Sequence, residues 1–122
     1  MGGCPRFSAG EEVAAGTAAI VSRLREMRPN AKVLLLGCFP TGASPDSWER
    51  RQVNVLHERI AQLADGDRVL YQDLRGLFLN PDGSISHTTM SGDDVHLAAP
   101  GYGAWGEAIL PTIRRMVDGA AE

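Results

Sequence analysis

Two observations predict an α/β fold with a parallel sheet for this chain. Segments with helical periodicity alternate with short apolar runs, in the order helix, strand, helix, strand, loop, helix. One of those runs, Lys32-Val33-Leu34-Leu35-Leu36-Gly37, is apolar on both faces, as strands buried inside parallel sheets are. With 122 residues against the usual ~150 per domain, there is room for one domain and no second. Only two strands are evident, and a two-stranded parallel sheet is not stable alone, so an exposed strand edge is expected.

The elements follow in order. Residues 1–8, rich in Gly, Pro and Ser, form an irregular lead-in. From Ala9 to Arg28 the positions Val13, Thr17, Ile20, Val21, Leu24 and Met27 recur at three and four, predicting an amphipathic helix. Glu11 and Glu12 in its first turn and Arg23, Arg25 and Arg28 near its end suit the helix dipole, and Pro29-Asn30 closes it. After the first strand, Phe39 to Pro45 is a loop, and Ser44-Pro45 is expected to cap the second helix with proline at its first position. Trp48, Val53, Leu56, Ile60 and Leu63 carry that helix to Ala64-Asp65-Gly66. Arg68 to Asp73 is the second strand. An apolar patch from Leu74 to Leu79 then leads through the turn Pro81-Asp82-Gly83 into a polar loop running to Val95. The last helix starts near Pro100, presents Tyr102, Trp105, Ile109, Ile113 and Met116, and is expected to kink at Pro111, which lacks a backbone donor.

Composition narrows the function. A net charge of -3 without a basic stripe gives no footing for nucleic-acid binding. The longest apolar stretch is far shorter than the ~18 residues of a membrane span. No export signal is visible, and Arg6 stands where myristoylation prefers Ser or Thr. Location therefore stays open, with the cytoplasm as the default. Cys4 and Cys38 are too few for a disulfide framework and lack zinc-ligand spacing; Cys38 reads as a small buried thiol. The histidines His57, His87 and His96 share no ligand spacing either, so no metal is expected.

The strongest signal for chemistry is Asp93-Asp94-Val95-His96-Leu97, in the loop before the last helix. A carboxylate three residues ahead of an imidazole can accept its Nδ1 proton and leave Nε2 as a general base. Gly101-Tyr102-Gly103-Ala104-Trp105-Gly106 fits the Gly-x-Gly-x-x-Gly pattern, but a dinucleotide site needs those glycines directly after a strand. Here they are expected to lighten the first turn of a helix for close packing, and no nucleotide is expected. The loop Gly37-Cys38-Phe39-Pro40-Thr41-Gly42 stands where binding sites of open α/β sheets lie, after a strand's carboxyl end.

Taken together, the runs Lys32 to Gly42, Val53-Asn54, Asp82 to Ser86, Asp93 to Leu97, and Gly101-Tyr102 with Trp105 resemble the C-terminal part of SGNH (GDSL-type) hydrolases. Within them, the resemblance is to the subgroup similar to the catalytic subunits of platelet-activating-factor acetylhydrolase, and it covers about Ala9 to Val117. It implies a flavodoxin-like three-layer α/β fold and ester or acetyl-ester hydrolysis by a Ser-His-Asp triad, with no cofactor and no metal. Carried over, His96 is the general base and Asp93 its orienting carboxylate, with Asp94 as an alternative partner of the imidazole. Thr41 departs from the Arg that the subgroup often carries there.

The family's Gly-Asp-Ser nucleophile block and the Gly and Asn of its oxyanion hole precede the helix that here begins near Ala9. Met1 to Ser8 holds no Asp-Ser pair and no Asn, and Ser8, Ser44, Ser47, Ser84, Ser86 and Ser91 occupy no strand-to-helix elbow. The expectation is a single partial domain over residues 1–122, truncated at its N-terminus and inactive by itself, whose substrate once completed is a small ester. The alternative is a non-catalytic α/β domain that self-associates, or binds a partner, through its strand edge.

Overall fold

The computed structural model describes residues 9–42, 44–93 and 96–121, with side chains described as far as 118. Helix α1 spans Ala9–Met27, strand β1 Val33–Leu35, helix α2 Trp48–Ala61, strand β2 Val69–Tyr71 and helix α3 Ala99–Ala121, with a 3-10 turn at Arg75–Phe78 between β2 and α3. The two strands are parallel, with Val33 opposite Val69 and Leu35 opposite Tyr71. Both are shorter than their apolar runs, because pairing ends where Leu36 and Gln72 turn into loops.

The period of two along the strands builds three layers. Leu35 and Val69, with Val33 and Tyr71 beside them, point to one face and join Ala14 and Val21 of α1 and Leu56 and Ile60 of α2 in one buried cluster. Leu36 joins a second cluster on the opposite face with Ile109 and Trp105 of α3, where Leu74, Phe78, Ile85, Met90 and Leu97 are buried. Fully burying side chains of this size stabilises by ~1.5–3 kcal/mol each, so the α3 face rests mainly on the segment between β2 and α3.

Two helices differ from the sequence expectation. On α1 the buried positions are Gly10, Ala14 and Val21, whereas Val13, Ile20, Leu24 and Met27 are 40–63% exposed. The cause is close approach: a Cβ on Gly10 would lie 2.3 Å from the Gln52 carbonyl oxygen, so α1 meets α2 through its small residues and turns its larger ones aside. The cap of α2 is Ser47, not Ser44. The Ser47 hydroxyl accepts from the Arg50 amide at 3.3 Å, while Ser44 and Pro45 belong to the preceding turn, which the Ser44 carbonyl closes by accepting from Ser47. Trp48, placed on the apolar side of α2 by its spacing, is 56% exposed.

Helix α3 runs through Pro111 without interruption. Of the three glycines of the pattern, Gly101 is the one packed closely, since a Cβ there would meet the Thr89 carbonyl oxygen at 2.0 Å; Gly103 and Gly106 face open space. The neighbour at that contact is the loop before α3, not the sheet.

The turn into β2 is held by Asp65, whose carboxylate accepts the backbone amides of Asp67, Arg68 and Val69 at 2.8–2.9 Å. Those bonds, with Arg25 of α1 at 3.0 Å, hold its carboxyl far below the usual carboxylate range.

Candidate functional site

The Asp-His segment lies in a short antiparallel excursion just before α3. Met90 and Leu97 form a bridge across it, the Ser91 amide donates to the His96 carbonyl at 2.8 Å, and the Ala98 amide donates to the Thr89 carbonyl at 2.9 Å. The buried side chains of Met90 and Leu97 root this loop in the core, and Gly101 lets the first turn of α3 press against Thr89.

At the tip, the Asp93 carboxylate accepts from Ser91 and from both the ring and the amide of His96. Its Oδ2 lies 2.6 Å from His96 Nδ1, and its Oδ1 accepts from the His96 amide at 3.0 Å and from the Ser91 hydroxyl at 2.5 Å. A carboxylate against Nδ1 places the ring proton there, so Nε2 keeps its lone pair. The two side chains are 74% and 51% exposed, and Nε2 has no hydrogen-bond partner among the described residues. Such an imidazole can take a proton from a group brought to Nε2. Asp94, the alternative partner, lies outside the described residues, as does Val95.

A second histidine, His57, lies in the core and was missed by motif reasoning. His57 is 1% exposed, on the buried face of α2. Its Nε2 lies 2.9 Å from the Cys38 carbonyl, which can only accept, so Nε2 carries the proton and Nδ1 accepts from the Tyr71 hydroxyl at 2.5 Å. Burial pushes its pKa down, partly offset by the bond to Cys38, and the Arg75 cation adds to the lowering. Gly37, at φ 73°, passes over this ring so closely that a Cβ would come within 2.4 Å of Cε1. Arg75 forms a two-point contact with Asp73 at 2.8 and 3.0 Å and reaches Asn54 at 2.8 Å. The Arg75 guanidinium holds the Asp73 carboxyl down to about 2.

Arg50, 3% exposed, was likewise missed. Its guanidinium donates to the carbonyls of Thr41 at 3.2 Å, Gly42 at 3.0 Å and Gly83 at 2.6 Å, tying the loop after β1 to the Pro81-Asp82-Gly83 turn. The available signal was spacing: Arg50, Val53, His57 and Ile60 share one face of α2. Cys38, expected to be buried, is exposed, because the chain turns outward at Gly37.

Among the described residues no three His, Cys, Asp or Glu side chains converge as a metal site, and no helix is long and apolar enough to cross a membrane. The glycines of the Gly-x-Gly-x-x-Gly pattern lie inside α3 and follow a loop, not a strand.

Comparison with known proteins decides the family. The sequence model of the GDSL-like Lipase/Acylhydrolase family matches residues 4–104. The chain belongs to this family. Human platelet-activating factor acetylhydrolase IB subunit alpha1 is 39% identical over 94 residues, which are 75% of this chain and 39% of that protein. The chicken alpha2 subunit is 36% identical over 92 residues, 75% of this chain and 40% of its own length. The chain thus spans about two-fifths of the length of these relatives. A solved structure from Streptococcus pneumonia, provisionally described as a platelet activating factor, superposes with a TM-score of 0.67 at 17% identity. It covers 83% of this chain and 50% of its own, which establishes the SGNH-like α/β fold.

Proposed function

We propose that this chain carries the base half of an ester-hydrolysing site, in which Asp93 orients His96 and His96 Nε2 takes the proton of an attacking serine hydroxyl. The observation that carries this reading is the 2.6 Å contact of Asp93 Oδ2 with His96 Nδ1, on a side chain that is 74% exposed and whose Nε2 has no partner among the described residues. In such a reaction the hydroxyl oxygen bonds to the ester carbonyl carbon as its proton passes to Nε2. The resulting imidazolium, steadied by Asp93, then protonates the departing alcohol. Water repeats the cycle on the acyl-enzyme. In this reading the serine of the Gly-Asp-Ser block and the Gly and Asn of the two later oxyanion blocks are not among these residues, and the chain by itself is inactive. The substrate class is a small ester, with an acetyl ester favoured by the acetylhydrolase names of the relatives.

A fluorophosphonate probe tests this reading. The isolated chain should take no label, whereas a form completed by the nucleophile-bearing polypeptide should label at one serine and lose that labelling in His96→Ala. Serine labelling of the isolated chain that His96→Ala abolishes would overturn it.

A further inference from the structure

A short stretch of backbone closes over the buried His57 ring, and a single hydrogen bond holds it there. Gly37 and Cys38 are exposed, while the imidazole beneath them is 1% exposed. On either side the chain is firmly seated. Leu35 pairs with Tyr71 in the sheet, Phe39 packs edge-on to Phe78 with ring centres 5.2 Å apart, and Pro40 is fully buried. Arg50 then holds the carbonyls of Thr41 and Gly42. Between these anchors, the bond from His57 Nε2 to the Cys38 carbonyl is the one hydrogen bond to Gly37 or Cys38 among the described residues.

The ring has no place for a second proton. Nε2 already donates to the Cys38 carbonyl, so a further proton can bind only at Nδ1, where the Tyr71 hydroxyl donates at 2.5 Å. The titratable and charged groups about the ring are the Cys38 thiol on the loop, Tyr71 and Asp73 at the end of β2, and Arg75 on the 3-10 turn. On α2 itself Glu58 acts on Arg75, and α1 brings Glu11, which is engaged with Arg59 at 3.1 Å. Asp73 is the neighbour that favours a charged ring, but Arg75 occupies both its oxygens and acts on the ring with the opposite sign. An imidazolium here would lack solvent and face both a phenol proton and a guanidinium. Its bond to the Cys38 carbonyl would strengthen, one contact set against those costs. The way to water lies past Gly37, which passes so close that a Cβ on it would lie 2.4 Å from Cε1.

We infer that the Gly37–Cys38 stretch is an acid-released latch: a proton from solvent binds His57 Nδ1, the Tyr71 hydroxyl loses its acceptor, and the stretch lifts from the ring while Phe39 to Gly42 stay seated. The latch forms one wall of a cavity of about 120 Å³, where Gly37, Cys38 and Phe39 meet Arg75, Phe78 and Trp105 beyond the carboxyl ends of the strands. Open α/β sheets bind their ligands at such ends, so acid would reshape a pocket in that place. The device stands whether or not the chain hydrolyses esters. Burial above all holds the ring's pKa in the closed form below its ordinary 6.5. The latch is therefore shut above that pH and opens as pH falls through the window beneath it, by at most ~tenfold per pH unit for one proton.

The test is a titration of the isotope-labelled chain by NMR from pH 7.5 to 5. The Gly37 and Cys38 signals should shift with the same midpoint as the His57 ring nitrogens, below 6.5, and the Nε2 proton should vanish in that step while Val69 and Gly42 hold. His57→Gln carries an amide that donates and accepts as the neutral ring does but takes no proton, so its Gly37 and Cys38 signals should stay flat. Where that variant folds poorly, Tyr71→Phe decides: the neutral ring loses a bond, and the joint midpoint should rise by ~0.5–1 unit. A ring that titrates while Gly37 and Cys38 hold, or one that stays neutral to pH 5, would overturn the inference. So would loop shifts that persist in His57→Gln, a Tyr71→Phe midpoint that does not rise, or loss of the Val69 signals in the same step.

Discussion

Two imidazoles in this molecule make opposite use of the same ring. His57 spends both nitrogens on the fold, one on the Cys38 carbonyl and one on the Tyr71 hydroxyl, in a site with almost no solvent. His96 spends Nδ1 on Asp93 and has no described partner at Nε2, in a site where its side chain is mostly exposed. The lesson is that burial and hydrogen bonds do not by themselves mark a reacting histidine. In the proposed reading what marks the reacting ring is that it is oriented and has one nitrogen left over, as His96 does.

The largest effect that could break this contrast is on chemistry. In the completed enzyme, His96→Ala should lower the rate of acyl transfer by ~10³–10⁴-fold, and Asp93→Asn should fall in the same range because the wrong tautomer is then favoured. His57→Leu should leave that rate within a few-fold. A larger loss at His57 than at His96 in the labelling assay would reverse the assignment.

Stability should respond the other way. His57→Leu removes the partners of a part-buried carbonyl and a half-buried hydroxyl, a cost of ~2–4 kcal/mol by urea denaturation. His96→Ala should lie within ~0.5 kcal/mol, as exposed substitutions do.

Acid sharpens the contrast further. Burial lowers the folded-state pKa of His57 below its ordinary 6.5, so the unfolded chain binds the extra proton first. The stabilisation by neutral His57 is thus complete above pH 6.5 and declines as pH falls through the window between the two pKa values, by at most ~1.4 kcal/mol per pH unit. Urea midpoints measured from pH 7.5 to 5 should fall in the parent and fall less steeply in His57→Leu. Nitrogen-15 spectra at pH 7.5 should place the His57 proton on Nε2. The smallest effect expected is that of Ser91→Ala. Losing one exposed bond to Asp93 should cost under ~1 kcal/mol in stability and less than tenfold in rate.

The order of elements was legible because helical and strand periodicities leave different traces, and Asp93 with His96 because the two lie three residues apart in a single loop. Arg50 and His57 were not, since Arg50 binds backbone carbonyls as far away in sequence as Gly83, and His57 a carbonyl and a tyrosine hydroxyl. No residue type signals a carbonyl. Ser44 was expected as the cap because a proline follows it; instead the Ser44 carbonyl closes a turn by accepting from the Ser47 hydroxyl, and Ser47 caps the helix. Of the apolar α1 positions, Val21 faces the core while Val13, Ile20, Leu24 and Met27 lie outward, and the small residues Gly10 and Ala14 make the close contact on the buried face.

The antiparallel loop that holds Asp93 and His96 has a consequence for folding order. Its bonds join residues close in sequence, Met90 with Leu97 and Ser91 with His96. Closing a loop of that span takes ~10–100 ns, whereas pairing β1 with β2 must first bring together residues on either side of α2. The oriented imidazole is therefore among the first arrangements the chain can sample. It can be present in a nascent molecule before any surface exists for a substrate to meet.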